Sequence, residues 1–341
     1  MQSQKEFSDP ASPTPSNTMP LVDVNLITYN HEKFIARAID SVLNQKTNFN
    51  YRLILGDDCS TDNTQSIIRD YAQRYPARIQ TVLAVEHRGI KHPNRMGIDV
   101  LRRSTAKYVA LLDGDDYWTN PTKLQRQVDF LERHPECSLC FHNVEMYYDD
   151  ESQPPIILHP PNQKEIATLE DVINGLVPLP CTAMFRKNLL GDLSGSFYKV
   201  PNADWMMWVM LAQQGFIGYI NEVMAAYRIH VQGIWSRLSA QQRVINHIET
   251  YRAINAQLNY KYDRMISEII SAAPRRQIEH EARVCLDQYH RLVRKGEIRK
   301  GLRLLWEATN FAPLEVLRPR RLAVVLKNGF LGAFWKDSVH S

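Results

Sequence analysis

A mostly parallel α/β sheet with helices on both faces, followed by a helical C-terminal region, is the fold class this sequence predicts. Three observations carry the prediction. Short apolar runs alternate with amphipathic stretches between residues 21 and 113, the order expected of βαβ units. The apolar run 109–112 stops abruptly at Asp113, Gly114, Asp115 and Asp116, as a buried strand does at a sheet rim. From about Ser239 onward the pattern changes to long helical stretches.

The elements follow in order. Residues 1–20 are rich in Ser, Pro, Thr and Gln, which predicts a disordered tail. Residues 22–27 alternate toward a strand that closes in Thr28-Tyr29-Asn30-His31. Apolar residues at 34, 35, 38, 39, 42 and 43 form a helical stripe within 32–45. A second buried strand at 53–55 ends in Gly56-Asp57-Asp58-Cys59-Ser60-Thr61-Asp62-Asn63-Thr64. A helix at 65–74 follows, with Ser60, Thr61 or Asp62 placed to cap it. A third strand at 79–84 and a helix at 94–104 lead to the strand that ends at Asp113. Beyond it come a helix at 119–133, a strand at 137–148, a Pro-rich loop at 152–163 bordering the site, a helix at 169–176 and a strand at 182–185. Another helix follows Asp204, and 218–228 reads as a strand pair. Helices are expected at 241–258, 262–272, 277–295 and 299–309.

Composition narrows the function classes. The 341 residues suffice for one large core or two smaller ones. A net charge of +4 gives no case for nucleic acid. Cysteines at 59, 137, 140, 181 and 285 include one C-x-x-C but no second pair to complete a zinc set. They read as free thiols in a reducing cytosol. No apolar run approaches membrane-spanning length, so a cytosolic location is expected. The last segment mixes Arg318, Arg320, Arg321 and Lys327 with Leu322, Phe330, Phe334 and Trp335. Such a helix suits an anionic membrane surface, the catalytic domain or another subunit.

Ligands of parallel sheets bind beyond the carboxyl ends of the strands. The clusters at 28–30, 57–58 and 113–116 all fall on that rim. Three acids there repel one another, and a hard divalent cation is the usual compensation. Gly114 lets neighbouring carboxylates turn toward one centre. A solvated acidic turn is the other reading. Neither G-x-G-x-x-G nor G-x-x-x-x-G-K-[ST] is present, so a nucleotide would be held by side chains and a cation.

The order T-Y-N, D-D-C-S-T-D-N-T and L-D-G-D-D-Y-W resembles the family 2 glycosyltransferases of GT-A fold. The segments Y-W-T-N-P-T-K-L-Q-R-Q at 117–127 and C-F-H-N at 140–143 resemble bacterial members that build surface polysaccharide. The likeness covers about residues 21–237, which divides the chain into a tail (1–20), a catalytic domain (21–237) and a helical region (238–341). Cys59 stands where Gly is commoner, and Leu26-Ile27 replaces the usual residues before T-Y-N.

The resemblance implies roles. Thr28, Tyr29 and Asn30 match the segment lining the nucleotide pocket, and Asp57 the acid that holds the base, accepting uracil N3–H. Asp113 matches the ribose and metal side of D-x-D, with Gly114 beside it, and Asp115 the direct ligand of Mn2+ or Mg2+. His230 matches a histidine that binds the metal or the departing diphosphate. Asp204 matches the general base, although Ala203 breaks the acidic pair common there. Asp116, Trp205 and Trp235 are the candidates for acceptor contact. The implied reaction is inverting, metal-dependent transfer from a UDP-type nucleotide sugar to a glycan or lipid-linked hydroxyl, on the cytoplasmic side of the membrane. Helix capping for Asp57, Asp58 and Asp204, a structural His230 and a packing Trp235 remain the alternatives. A nucleotidyltransferase would need a Gly-rich basic loop after the first strand, where only Lys33 stands. A degenerate GT-A scaffold or nucleotide-binding protein is the remaining reading.

Overall fold

The computed structural model describes residues 19–87, 94–151, 153–191, 193, 195–273, 294 and 297. The expected tail up to residue 18, the helices beyond 273 apart from residue 294, and the basic terminal segment lie outside the described residues.

Strand β1 (Val22–Thr28) leads to α1 (Ile35–Leu43), β2 (Tyr51–Asp57), α2 (Thr64–Arg74), β3 (Ile79–Leu83), α3 (Arg95–Arg103) and β4 (Tyr108–Asp113). Then come β5 (Tyr117–Trp118), α4 (Lys123–Arg133), β6 (Cys137–Tyr148), β7 (Ile156–Ile157), β8 (Ile166–Ala167) and α5 (Leu169–Ile173). The chain continues through β9 (Met184–Arg186), α6 (Ala203–Ala212), β10 (Phe216–Ile229), α7 (Ile234–Arg237) and α8 (Ala240–Gln257). Residues 263–273 are also helical.

One ten-stranded sheet runs in the order β3-β2-β1-β4-β9-β6-β10-β5, with β7 on β6 and β8 on β10. The strands β3, β2, β1 and β4 are parallel. So are β6 and β10. β9 runs antiparallel between β4 and β6. The sheet is therefore mostly parallel and flanked by helices, as the sequence predicts.

Alternation along β4 shows how the two helical layers arise. Tyr108, Ala110 and Leu112 join a core with residues of α1, α2 and α4. Val109 joins the opposite core with residues of α3, α5, α6 and α8. Successive strand residues point to opposite faces, so one strand feeds both cores. α6 reads A-D-W-M-M-W-V-M-L-A and buries nearly its whole circumference, as an all-round apolar helix must. Tyr251, Ile254 and Leu258 from α8 and its end share this core.

Several expectations are corrected. The stretch 218–228 is a single long strand with register breaks near Ile220 and Val223, not a strand pair. α4 starts at Lys123 rather than 119, because Pro121 and an Asn120 side chain that accepts Thr122 N–H at 2.8 Å hold a turn there. The loop 152–163 contributes the short β7. The strand expected at 182–185 begins at Met184, after a 3-10 turn at Pro180–Thr182. No helix among the described residues is long and apolar enough to cross a membrane.

Trp208 is fully buried and donates its indole N–H to Pro178 O at 2.9 Å. Trp208→Ala is expected to cost about 3–5 kcal/mol, as large aromatic truncations in cores do. Urea unfolding followed by circular dichroism measures it.

Candidate active site

Register brings the rim together. Thr28 lies opposite Asp57 and Ile27 opposite Asp113. The pairing continues past the strands, with Asp58 N–H bonded to Thr28 O at 3.1 Å and Gly114 N–H to Ile27 O at 2.9 Å. The polar ends of β1, β2 and β4 thus form one continuous floor.

The loop after β1 is stitched to the loop after β2. Asn30 takes a left-handed φ of 56°, its N–H bonds to Ser60 Oγ at 2.8 Å, and its Oδ1 accepts Thr61 N–H at 2.7 Å. His31 N–H bonds to Thr64 Oγ1 at 2.9 Å. Cys59 also takes a left-handed φ, 62°. That conformation explains why Gly is the commoner residue at this place. Asp57 is fully buried; its carboxylate accepts Ser60 N–H at 2.9 Å, the Gln65 side chain at 2.6 Å and Ser60 Oγ–H. Asp57 thus ties the turn that precedes α2, whose cap position is Asn63, so the helix-capping alternative does not describe it. Tyr29 stays 37% exposed and stacks on His87, with ring centroids 4.2 Å apart and planes 12° apart. Asp58 Oδ2 holds His87 Nδ1 at 2.9 Å.

The cation side gathers on Asp115. Its Oδ2 lies 3.0 Å from His230 Nε2 and 3.7 Å from His31 Nε2. Burial works against the charge of Asp115, but the His230 hydrogen bond and the nearby His31 hold its pKa below the usual range. Asp113 behaves oppositely. Burial, then the charges of Asp115 and Asp204, raise its pKa. Gly114 leaves room that no other residue would. A Cβ there would stand 2.6 Å from Thr28 Oγ1 and 2.9 Å from His31 Nδ1. Both of those buried atoms lack a hydrogen-bond partner.

Asp204 sits inside the first turn of α6, after the cap residue Asn202. Burial raises its pKa, and the backbone N–H groups of Trp205 and Asp204 itself oppose the rise. It is not the helix N-cap. Its charge contributes, after burial and Asp115, to the raised pKa of Asp113.

The acceptor candidates separate. Trp205 is 5% exposed, donates to Val172 O at 3.0 Å and packs on Tyr251, so it is a core residue and not an acceptor contact. Asp116 is buried; its Oδ1 accepts Arg228 N–H at 2.9 Å. It anchors β10 under the acidic turn instead of facing an acceptor. Trp235 on α7 stays 37% exposed and leans on His247. His31 was left out of the sequence candidates. It directly follows T-Y-N at a strand end, but nothing local in the sequence marks Asp115 and His230 as its neighbours.

These residues suit an anionic ligand held through a cation. The donor set of one carboxylate and two imidazoles lies within 4.8 Å, and it fits a divalent ion. Sheet order and the acids on its rim agree with a GT-A type of fold. The chain belongs to glycosyl transferase family 2, whose family model matches residues 23–194.

The chain is 34% identical over 221 residues to the uncharacterized protein Rv1520 of Mycobacterium tuberculosis, covering 64% of this chain and 61% of that one. The chain thus spans under two thirds of that relative's length. It is 29% identical over 219 residues to the putative teichuronic acid biosynthesis glycosyltransferase TuaG of Bacillus subtilis, covering 63% and 81%. Two solved structures share the fold. Mannosyltransferase PcManGT of Pyrobaculum calidifontis, in complex with GDP-Man and Mn2+, gives a TM-score of 0.54 at 18% identity, covering 94% of this chain and 87% of that one. S. aureus TarS 1-349, in complex with UDP-GlcNAc, gives 0.52 at 18% identity, covering 71% and 72%.

Gly114→Ala is expected to crowd Thr28 and His31, costing about 1–3 kcal/mol as overpacking does. Calorimetric titration of Mn2+ should show weakened binding. Unchanged binding would mean the turn has slack that the geometry does not show.

Proposed function

We propose that this chain is a metal-dependent inverting glycosyltransferase. It moves a sugar from a nucleotide-linked donor, UDP-linked in the first place, to a hydroxyl of a glycan or lipid-linked acceptor in surface-polysaccharide synthesis. The observation that carries the reading is the convergence of Asp115 and His230, 3.0 Å apart, beside Asp113 and within the electrostatic reach of Asp204. The name of TuaG supports the pathway, and the ligands of the two solved structures support the donor class and the ion.

Asp115 and His230 would hold Mn2+ or Mg2+, with Asp113 beside them. The bound ion supplies positive charge to the diphosphate as it departs. Tyr29 offers a ring face to the base, with Thr28, Asn30 and Gly114 lining the turn beneath. Asp57 reaches the base only by sharing a carboxylate that now accepts hydrogen bonds from Ser60 and Gln65 of the 60–65 turn. Asp204 takes the proton of the acceptor hydroxyl as the new bond forms, which such a base does best when its pKa lies near the working pH. Base and leaving group on opposite sides of the anomeric carbon make one displacement that inverts it. Trp235 borders the acceptor. The catalytic unit is taken as 21–237, with α8 packed on it through Tyr251 and Ile254.

Two substitutions separate these roles. Asp115→Asn should abolish Mn2+-dependent UDP binding in calorimetry while the far-ultraviolet spectrum stays native. Asp204→Asn should retain donor binding and lose about 10²–10⁴-fold in transfer rate. Transfer near the wild-type rate in Asp204→Asn would remove the base assignment.

The pH dependence has a definite sign. Asp204 acts only when ionised, and burial raises its pKa. The rate should therefore fall as pH drops through a value above the ordinary carboxylate range. A kcat profile flat down to the ordinary carboxylate range would contradict this.

A further inference from the structure

We infer that His31 is a metal ligand, so that the cation site is a two-histidine, one-carboxylate centre that favours transition-metal ions over Mg2+. The inference rests on the cation reading above and deepens it.

The backbone aims His31 and holds it there. The left-handed turn at Asn30 folds the chain back over the rim. Bonds from Asn30 N–H to Ser60 and from His31 N–H to Thr64, at 2.8 and 2.9 Å, tie that turn to the start of α2. The ring is then fixed from two sides. The Phe34 ring stands edge-on with its centroid 6.2 Å away, and so does the His230 ring, also at 6.2 Å.

Within this setting the polar atoms of His31 are poorly served. Nδ1 is buried and has no hydrogen-bond partner. Nε2 stands 3.7 Å from Asp115 Oδ2, too far for a hydrogen bond. Buried polar side-chain atoms are nearly always partnered, and the exceptions call for an explanation. His230 Nε2 approaches the same oxygen from another side at 3.0 Å. One carboxylate and two imidazoles thus offer ligand atoms within 4.8 Å of one another. An ion among them would be held by Nε2 of both imidazoles and by the Asp115 carboxylate, which gives His31 Nε2 the partner that Asp115 alone stands too far away to be.

The donor types decide which ion. Mg2+ prefers an all-oxygen shell and keeps its waters, whereas imidazole nitrogen favours later first-row ions. Affinity for such a site should rise from Mg2+ through Mn2+ to Co2+. A site of carboxylates alone would discriminate far less.

The test titrates Mg2+, Mn2+ and Co2+ separately into the full chain by calorimetry. Pulsed electron paramagnetic resonance on the Mn2+ complex counts coordinated imidazole nitrogens. The expected result is two imidazoles, the order Mg2+ below Mn2+ below Co2+, and a loss of about tenfold or more for Co2+ in His31→Ala, the scale on which metal-site mutations act. Mg2+ should lose less. A single imidazole on the wild type overturns the inference without any variant. So does a His31→Ala protein that melts like the wild type and keeps its Co2+ affinity. If His31→Ala does not fold, His31→Asn takes its place under the same criteria. UDP is then titrated into the Co2+-loaded protein. Two imidazoles without UDP binding would leave the metal site standing and overturn the UDP-donor reading alone.

Discussion

Crowded negative charge is the constraint on which the rest of the site depends. Asp113, Asp115 and Asp116 leave one strand end within four residues, and the charge of Asp204 on α6 adds to the burden on Asp113. Each acid is handled differently. Asp116 is buried and takes a backbone N–H from Arg228, and burial with its neighbours' charges pushes its pKa well up. Asp115 keeps its charge through His230 and His31. Asp113 has no such help, and burial with the charges of Asp115 and Asp204 pushes its pKa up. The Arg228 guanidinium reinforces this pattern from below. It donates to Asp115 O at 3.0 Å, pairs with Asp149, and lies over the Phe34 ring. One arginine on β10 thus fixes the acidic turn of β4 from across the sheet.

The first half of the fold was legible because local signals and tertiary context agree there. The runs at 22–27, 53–55 and 109–112 are apolar, short and closed by polar turns, and each became a buried strand. The rim acids were legible for the same reason. Less was legible where long-range pairing decides. β10 bends through register shifts that only its parallel partner β6 explains, so its sequence looked like two strands. Trp205 follows Asp204 in sequence and looked like part of the site. On a helix, consecutive residues face different ways, and Trp205 turned into the core with Tyr251. His31 was hidden for the opposite reason. Its partners are 84 and 199 residues away, by the numbers of Asp115 and His230, and no local pattern announces that meeting.

One departure from the family pattern, Cys59, finds a physical place. Cys59 adopts the backbone that Gly would take freely, so the turn after β2 carries some strain. It is held by Ser60, which bonds Asp57 through both its N–H and its hydroxyl and accepts Asn30 N–H. The two left-handed residues on this rim, Asn30 and Cys59, therefore support one another through a single serine.

The placement of β9 bears on how the chain assembles. This three-residue strand is inserted antiparallel between β4 and β6. The four parallel strands β3, β2, β1 and β4 can register once residue 113 has left the ribosome. They cannot join β6 until residues 184–186 have followed. Pairings of large sequence separation are slow, and exposed strand edges are prone to the wrong partner while they wait. The open edge of β4 is thus the step at which synthesis and folding have to keep pace.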